Sequence, residues 1–499
     1  MAQTTYDDIP YESAPFTETH PDHLCVLGRL FGLDAAPAER CRLLELGCST
    51  GGNLIPMAWW NRESEFVGVD LSEVQVRAGQ EIIAELGLSN VRIEQGDIAA
   101  LDASRGTFDY IIAHGVYSWV PRTVRDAMLD FCRRALRPNG LVYVSHNTLP
   151  GWRMRGVLRD FLLYHTRKLS APGEKLRAAR IALEAFESAF EGSEVHVAAY
   201  LRDEARYLRK SRDAYLYHEY LENINEPLWF DEFVGHVRAH GLEYVCDTEL
   251  ERLLPQDMAA PAAKVLDDAD NFIEQQRYLD FFRNTVFRRS VLCRGDAPLK
   301  REIEITALAN WAVFALLRAE AAPNLENEAE CGFVTLDGQR YTAGHPLVKT
   351  ALSILHERYP DAVAIGELLD EARARVASAG GASLSGQQGR CCVELFKLFA
   401  NSAVGLRVHP QNISRGSTER PCANALAMAQ ARRGAGHVAT ARHRSMTLDD
   451  FSRRLLLLLD GSRVPGDIKR QSAGSGSYAN VPENVDRLLA IFSRHGILT

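Results

Sequence analysis

One stretch of the chain restricts its fold more than any other. Residues 43–53, LLELGCSTGGN, form an apolar run that ends in Glu45 and a glycine-rich turn, and residues 66–72, FVGVDLS, form a second apolar run that ends in Asp70. Glycine lets a backbone approach a ligand closely, and an acid at the tip of the second strand can hold ribose hydroxyls. With about twenty residues between Gly51 and Asp70, the pattern predicts half of a nucleotide-binding strand–helix–strand unit.

The glycine turn does not have the pattern of a dinucleotide site. Gly47, Gly51 and Gly52 do not form G-x-G-x-x-G, and no Lys-Ser or Lys-Thr pair follows as in a P-loop. The pattern E-x-G-x-x-x-G is instead similar to the first motif of class I S-adenosylmethionine (SAM) methyltransferases. The zwitterionic methionine end of SAM needs backbone N–H groups and polar side chains, which the turn offers at Glu45, Gly47, Cys48, Gly51 and Asn53. A strand–turn–helix without a ligand is the alternative.

Later segments continue the alternation of strands and helices. Residues 90–98 predict a third strand that ends in Gly96, Asp97 and Ile98. Asp97 can accept a hydrogen bond from the adenine amino group, and Ile98 can pack on the adenine ring. Residues 108–116 predict a fourth strand that ends at His114, and residues 133–147 a helix, a turn and a fifth strand. This alternation predicts a parallel sheet with helices on both faces, with ligands at the carboxyl ends of the strands. Cofactor-binding candidates at these ends are therefore Asp70, Leu71, Asp97, Ile98 and His114.

Composition agrees with an ordinary soluble enzyme. The 499 residues are 46% hydrophobic and 24% charged, and the net charge of −8 does not favour a nucleic-acid partner. The N-terminus lacks a signal-peptide pattern, and no apolar run approaches the ~20 residues of a membrane span. The ten cysteines form no C-x-x-C pair, so we expect no metal site, no disulfide framework and a cytoplasmic location.

The resemblance extends beyond one motif, to residues 6–21, 44–58, 114–121, 147–156, 216–222, 287–293 and 448–461. These segments resemble bacterial methyltransferases that carry a methyltransferase regulatory domain, a group that includes protein-lysine methyltransferases acting on outer-membrane proteins. The resemblance implies an α/β, Rossmann-like class I methyltransferase fold with a seven-stranded sheet. SAM is then the cofactor and S-adenosylhomocysteine the product.

This fold predicts the division of the chain. The SAM-binding core takes up residues 1–169 and 226–297, the latter with a helix at 228–240 and strands at 242–250 and 286–293. Residues 170–225 form a helical insertion or lid. Residues 298–410 form a winged-helix-like domain with a helix at 303–321, a strand pair within 333–343, helices at 347–358, 365–376 and 387–400, and a strand at 405–408. An Arg-rich linker, 411–446, and a small helical unit, 447–499, follow.

Two expectations concern the late region. We expect it to fold around cores of its own, because every cofactor landmark precedes it, and to help dock the substrate. The Arg-rich linker is either a docking surface for an acidic partner or a solvated loop that balances acidic neighbours.

Acceptor-site candidates come from three segments. HGVYSWVP, residues 114–121, follows the fourth strand, so Tyr117 and Trp119 either line an aromatic acceptor channel or pack within the loop, and His114 either contacts the methionine end of SAM or assists the proton. Tyr6 and Tyr11 belong to an N-terminal lid or an anchored tail. Further substrate candidates are Asn147, after the fifth strand, and His218, which with Glu219 is otherwise a surface or capping pair.

The sequence therefore predicts a SAM-dependent methyltransferase with His114, Tyr117 and Trp119 as catalytic candidates. The acceptor is a protein or peptide, first of all lysine Nε. The alternatives are a small metabolite or another peptide atom, and a SAM-binding regulatory or scaffold protein without turnover. Nucleic acid is not expected as a partner, and a homo-oligomer is left open.

Overall fold

The fold centres on one mixed sheet. The structure is a computed structural model that describes residues 5–11, 13–254, 258–336, 338–381, 386–473 and 481–499. The seven strands lie in the order β3-β2-β1-β4-β5-β7-β6, with β1 to β5 parallel and β7 antiparallel to both of its neighbours. They are β1 Arg42–Leu46, β2 Glu65–Asp70, β3 Val91–Gln95, β4 Phe108–Ala113, β5 Leu136–Asn147, β6 Leu242–Asp247 and β7 Phe287–Arg294. The predicted fold class is confirmed.

The sequence explains why these strands occupy the centre of the molecule. All six residues of β4 are buried, and so are four of the five in β1. Strands buried on both faces are continuous apolar runs, as in a parallel sheet covered by helices. The chain proceeds outward in one direction from β1 to β3 and in the other from β4 to β5, so the crevice at the carboxyl ends of β1 and β4 is the switch point where ligands bind in such sheets.

Twelve α-helices belong to the first 294 residues as far as the structure describes them. The predicted helix after the insertion, the two antiparallel strands and the helical nature of residues 170–225 are confirmed. The helices are α1 Thr5–Asp8, α2 Pro21–Leu30, α3 Leu54–Trp60, α4 Glu73–Glu85, α5 Arg122–Ala135, α6 Gly151–Thr166, α7 Pro172–Ala189, α8 His196–Lys210, α9 Asp213–Tyr220, α10 Phe230–Ala239, α11 Ala260–Asp267 and α12 Phe272–Arg283.

The next region departs from one prediction. The expected helix at 303–321 is wrong: a short 3-10 helix, Ile305–Asn310, precedes two strands. Tertiary packing outweighs helix propensity here, because Ala312 and Val313 are buried and pair with two neighbouring strands. The predicted strand pair and three helices are present. The elements are β8 Ala312–Phe314, β9 Arg318–Ala319, β10 Cys331–Val334, β11 Arg340–Ala343, α13 Pro346–Arg358, β12 Val363–Ala364, α14 Ile365–Ser378, α15 Gln388–Ala400 and β13 Gly405–Arg407.

Residues 411–446 are not a linker. They contain α16 and two short strands, and Ala427, Ala431 and Val438 are buried in one core with the final helices. Arg433 pairs with Glu85 of α4 at 2.9 Å, so part of the expected basic surface is neutralised within the chain. The elements are α16 Ala425–Arg432, β14 His437–Ala439, β15 Ser445–Thr447, α17 Asp450–Leu457, α18 Pro465–Ala473 and α19 Val481–Arg494.

The late region does not fold entirely around cores of its own. One continuous apolar core runs from the central sheet through α13, α14 and α15 to β13, whereas the described residues of α16 to α19 pack around a separate core. At the junction, the buried Arg407 guanidinium contacts Asp22 of α2 and Glu39. The expected division therefore fails for residues 298–410, because their apolar side chains complete the core of the sheet domain.

We predict that Arg407→Met destabilises the junction between α2 and β13. Removing one partner of a buried ion pair costs about 3–5 kcal/mol, since the buried Asp22 loses the guanidinium in direct contact with it. Thermal unfolding should show a lower midpoint for Arg407→Met, and Arg407→Met combined with Asp22→Asn should recover part of the loss. An unchanged midpoint in the single variant would contradict this account of the junction.

Candidate active site

An N-terminal segment, of which residues 5–11 and 13–16 are described, covers the glycine turn at the end of β1. The backbone of Ser13 lies so close to Gly52 that a Cβ there would be 2.2 Å from the Ser13 carbonyl oxygen. The Phe16 N–H donates to Asn53 Oδ1 at 2.9 Å, and the Ser49 hydroxyl donates to the Tyr11 carbonyl at 3.4 Å. Gly52 is thus required by a close approach of two backbones, which the glycine pattern alone does not reveal.

Backbone N–H groups orient Asp70 at the end of β2. Ser49 N–H donates to its Oδ2 at 2.7 Å and Ser72 N–H to its Oδ1 at 2.9 Å. Burial nevertheless raises the pKa of Asp70. Gly47, at φ +71°, lets the chain turn so that its own N–H donates to the Val69 carbonyl at 2.8 Å, which joins the two strand ends. Asp70 is therefore held at the edge where ribose hydroxyls bind in this fold.

Glu45 and Asn53 form a buried polar pair beneath the turn. Asn53 Nδ2 donates to Glu45 Oε1 at 2.7 Å, whereas the buried Glu45 Oε2 has no partner among the described residues. Burial raises the pKa of Glu45 to about 8. A buried carboxyl oxygen without a donor fits a cationic ligand group, so the site is chemically suited to the ammonium of the methionine end of SAM.

The side-chain oxygen of Asn53 already has partners within the protein. Asn53 Oδ1 accepts from Phe16 and lies 2.8 Å from His443 Nε2, which comes from the far end of the chain. Sequence reasoning missed His443, since 390 residues separate it from Asn53. The Asn53 side chain consequently holds three segments together, and its predicted contact with SAM remains a prediction.

The Cys48 side chain points into the sheet. Its sulfur lies where a Cβ on Gly68 would come within 2.6 Å, and burial raises the pKa of its thiol. Only the backbone of Cys48 is therefore placed toward a ligand at the turn. Gly51, at φ +75°, packs against Ile93 and Ile55 in the same layer.

The adenine-side candidates lie at the rim. Asp97 is exposed and accepts from the Ala99 N–H at 2.8 Å, Ile98 is half-buried, and Leu71 is 51% exposed. An acid beside two accessible apolar side chains suits a planar base with an amino group. These positions agree in chemistry with the predicted roles, which remain predictions.

His114 lies inside the crevice at the end of β4. Its ring stacks on Phe16 with centroids 4.0 Å apart, and its Nδ1 lies 2.9 Å from the Tyr143 hydroxyl. Burial, with a smaller effect of Arg289, lowers the pKa of His114 to about 3. The imidazole is therefore neutral near pH 7 and adds no positive charge to a site that is to receive a sulfonium.

The structure separates the two aromatic candidates of HGVYSWVP. Tyr117 is fully buried, its hydroxyl lies 2.5 Å from His236 Nδ1, and its ring packs edge-on against Phe233. Tyr117 does not line an open channel, because its ring belongs to the core and its hydroxyl has a partner. Trp119 is half-buried and meets Trp152 edge-on at 6.3 Å, so of the two it is the one available to an acceptor.

Asn147 supports the acceptor side of the crevice. Its buried Nδ2 donates to Asn225 Oδ1 at 2.9 Å, and its backbone N–H donates to the Ser118 hydroxyl. Among the described residues, Asn225 Nδ2 and Trp152 Nε1 are buried donors without a partner. Sequence reasoning missed these two groups, which no motif spacing marks.

His218 anchors the N-terminal segment. Its ring stacks on Tyr6 with centroids 4.2 Å apart, its Nε2 lies 2.7 Å from the Ile9 carbonyl, and its Nδ1 lies 3.1 Å from Glu222 Oε1. The alternative of a surface pair is wrong, because His218 is buried against residues far away in sequence, and its predicted contact with the substrate remains a prediction. Tyr11 also approaches this ring, at 5.9 Å.

A cluster of metal-ligand type lies behind Tyr117. One ligand atom each from Asp126, His236 and His240 falls within 4.8 Å of the others. His236 lies between Tyr117 and Asp126, and His240 contacts Asp126 and Asp130. These contacts give all four imidazole nitrogens a protein partner, so hydrogen bonding alone accounts for the arrangement.

A separate cavity of about 120 Å³ lies between α2 and the late region, lined in part by Asp22, Arg407 and Arg442. It does not include the turn after β1 or the acid of β2. No helix formed by the described residues is long and apolar enough to cross a membrane.

Comparison with known proteins agrees with this geometry. Family models match residues 43–140 as a methyltransferase domain, 212–294 as a predicted methyltransferase regulatory domain and 419–473 as a PKMT C-terminal winged helix domain. The structure of PKMT2 from Rickettsia typhi in complex with AdoHcy is similar over 98% of this chain and 100% of that one, at 27% identity and a TM-score of 0.84.

Two curated relatives from Rickettsia prowazekii are uncharacterised proteins. One is 40% identical over 298 residues, which are 60% of this chain and 54% of the relative, so the match spans about half of that protein. The other is 38% identical over 230 residues, which are 46% of this chain and 92% of the relative.

We predict that SAM binding releases a proton through Glu45. At pH 7 a carboxyl with a pKa of about 8 is mostly protonated, and an adjacent ammonium favours the carboxylate, so about half to one proton should leave on binding. Calorimetry in buffers of different ionisation enthalpy measures this number. Glu45→Gln should abolish the release and weaken binding, and an equal release from Glu45→Gln would assign the proton to another group.

Proposed function

This chain belongs to the bacterial class I SAM-dependent methyltransferases that carry a methyltransferase regulatory domain, and we propose that it methylates lysine Nε in a protein or peptide. The observation that carries the proposal is the likeness to PKMT2 over nearly the whole of both chains. PKMT abbreviates protein-lysine methyltransferase, and the shared C-terminal winged helix domain extends the likeness beyond the SAM-binding core.

The cofactor site contributes by positioning the reacting groups, and the reaction needs no covalent intermediate with the enzyme. SAM, when bound, supplies a methyl group on a sulfonium that a nucleophile can displace in line. When SAM is bound, Asp70 would hold the ribose, Asp97 and Ile98 would hold the base, and Glu45 with the N–H groups of the glycine turn would hold the methionine end. The N-terminal segment packs over the turn and limits the access of water, which assists alignment of the reacting groups.

The acceptor enters beside Trp119, Trp152 and the Asn147–Asn225 pair. Lysine must lose a proton before attack, since its free pKa is ~10.4. A half-buried aromatic surface favours the neutral amine by desolvation and holds the cationic form by its ring faces. The neutral His114 adds no repulsion. Residues 298–499 contribute to docking the polypeptide, in this proposal.

The direct test is incubation with SAM labelled in the methyl group and a bacterial lysate, followed by gel separation and amino-acid analysis. Label in protein that hydrolyses to methyl-lysine is the expected result. Asp70→Asn serves as the matched control, because loss of a charged acceptor should cost about 10–150-fold in SAM affinity. Label in a small molecule or in another amino acid would replace the proposal, and SAM binding without any transfer would favour a scaffold.

We predict that Trp119→Ala lowers turnover far more than SAM affinity. Trp119 follows β4, whereas the ribose and base candidates follow β2 and β3, so the SAM dissociation constant should stay within a few-fold. A displacement of ~1 Å at the acceptor costs ~100-fold in rate. Calorimetry and steady-state rates measure the two effects, with Tyr164→Ala, an aromatic that is 67% exposed, as the control. Equal losses in affinity and turnover would place Trp119 in the cofactor site.

A further inference from the structure

The cavity between α2 and the late region has more positive than negative side chains in its lining. Among the described residues, three arginines line it, Arg407, Arg442 and Arg444, whereas its one acid is Asp22. Asp22 contacts Arg407, and Glu39, which lies outside the lining, contacts the same guanidinium. The charge of Arg407 is therefore balanced by two carboxylates, and the excess of positive charge belongs to the other two arginines.

Arg442 is the buried arginine of this cavity without a counter-ion. It is 6% exposed, whereas Arg444 is exposed to solvent. Its Nε donates to the Pro360 carbonyl at 2.6 Å and its Nη1 to Gln411 Oε1 at 2.8 Å, and its guanidinium lies 4.3 Å from the centre of the Phe314 ring. These partners are all neutral, and no carboxylate of the described residues lies within ion-pair distance of Arg442. A buried guanidinium normally has such a partner, because burial removes the water that would compensate its charge.

Two buried N–H donors of the lining have no partner among the described residues. They are Arg442 Nη2 and the indole Nε1 of Trp60, both on side chains that line the cavity. The Trp60 ring packs beside the segment that carries Arg442, since a Cβ on Gly496 would lie 2.6 Å from the Ala441 side chain and 3.8 Å from the Trp60 ring. Guanidinium and indole nitrogens only donate, so both groups require an acceptor from outside the protein.

An oxyanion meets both requirements of this lining. It brings the negative charge that Arg442 lacks, and its oxygens accept from guanidinium and indole N–H groups. The two donors belong to different side chains, so a tetrahedral oxyanion, whose oxygens point in several directions, suits them better than a planar carboxylate. Burial lowers the pKa of Arg442 to about 9, so the guanidinium keeps its charge near pH 7.

The size of the cavity agrees with such a ligand. A protein cavity of about 150 Å³ can hold one benzene molecule. At about 120 Å³, this cavity has the order of size of one small ion.

We propose that this cavity is a binding site for a small tetrahedral oxyanion of the phosphate class, held by Arg442 Nη2 and Trp60 Nε1. The cavity does not include the glycine turn, so the inference is independent of the proposed lysine methylation. Trp60 ends α3 of the sheet domain, and Arg442 belongs to the late region. A bound anion would therefore link these two parts of the chain and stabilise the folded protein.

The test is a titration of the full-length protein with sodium phosphate, with sodium chloride at the same ionic strength as the reference. Thermal unfolding measures the stabilisation, and calorimetry measures the dissociation constant. The variants are Arg442→Met, which removes the charged donor, and Trp60→Phe, which removes the indole N–H and keeps an aromatic ring. Arg415→Met is the matched control, because Arg415 is an exposed arginine of the same region and does not line the cavity.

We expect phosphate to raise the unfolding midpoint of the parent further than chloride does, and the rise to grow with phosphate concentration as mass action requires. Arg442→Met should weaken phosphate binding about 10–150-fold, because a charged donor is lost, and Trp60→Phe about 2–10-fold, as for a neutral donor. Arg415→Met should bind phosphate as the parent does.

Glycerol 3-phosphate is the second probe, because a phosphate ester carries the same oxyanion chemistry. Binding at least as tight as that of inorganic phosphate would assign the site to a phosphate ester. Weaker binding would assign it to the free ion.

Three results would overturn the proposal. A midpoint that phosphate raises no further than chloride would show that water satisfies the two donors. An equal phosphate effect in the parent and in Arg442→Met would place the anion elsewhere on the protein. Competition between phosphate and SAM would place it at the glycine turn. If Arg442→Met does not fold, Trp60→Phe decides the question, since an unchanged affinity for phosphate in that variant also contradicts the site.

Discussion

The side-chain amide of Asn53 is the interaction on which the rest of the site depends. It donates to Glu45 at the end of β1, accepts from Phe16 in the N-terminal segment and meets His443 from the far end of the chain. Its side chain is almost fully buried, and buried amides are stable only when their hydrogen-bonding groups are used. Asn53 therefore connects the glycine turn, the N-terminal segment over it and the late region.

The N-terminal segment is attached to the rest of the protein at a second point as well. His218 stacks on Tyr6 and contacts the carbonyl of Ile9, so residues 5–16 are held at the turn by Asn53 and at the helical insertion by α9. From this segment the Phe16 ring reaches the crevice, where it stacks on His114. The insertion and the late region thus shape the cofactor site without containing any of its motifs.

The protonation of the ionisable groups in the site also depends on burial. Burial raises the pKa of Glu45, Asp70 and Glu219 and lowers that of His114, because each group sits in a site from which water is partly withdrawn. The Glu45 carboxylate, which burial disfavours, and the neutral His114 imidazole suit a ligand group that brings positive charge, whereas the ligand assigned to Asp70 is the neutral ribose. A sulfonium and a methionine ammonium are such positively charged groups.

The local patterns of the sequence determined the sheet, since runs of apolar residues, turns and helix signals depend on neighbours in the chain. β1 to β5 and the strand-end positions of Glu45, Asp70, Asp97 and His114 followed from them, whereas α10, β6 and β7 were placed by the resemblance to class I methyltransferases. The burial of Tyr117, the anchoring role of His218 and the folded state of residues 411–446 did not, because each depends on partners that are distant in sequence. The helix predicted for the alanine-rich residues 303–321 was wrong for the same reason, because the pairing of β8 with β12 and β13 outweighs helix propensity. Sequence alone specified which chemistry this chain carries at its strand ends, and only tertiary structure decided which side chains remain free to use it.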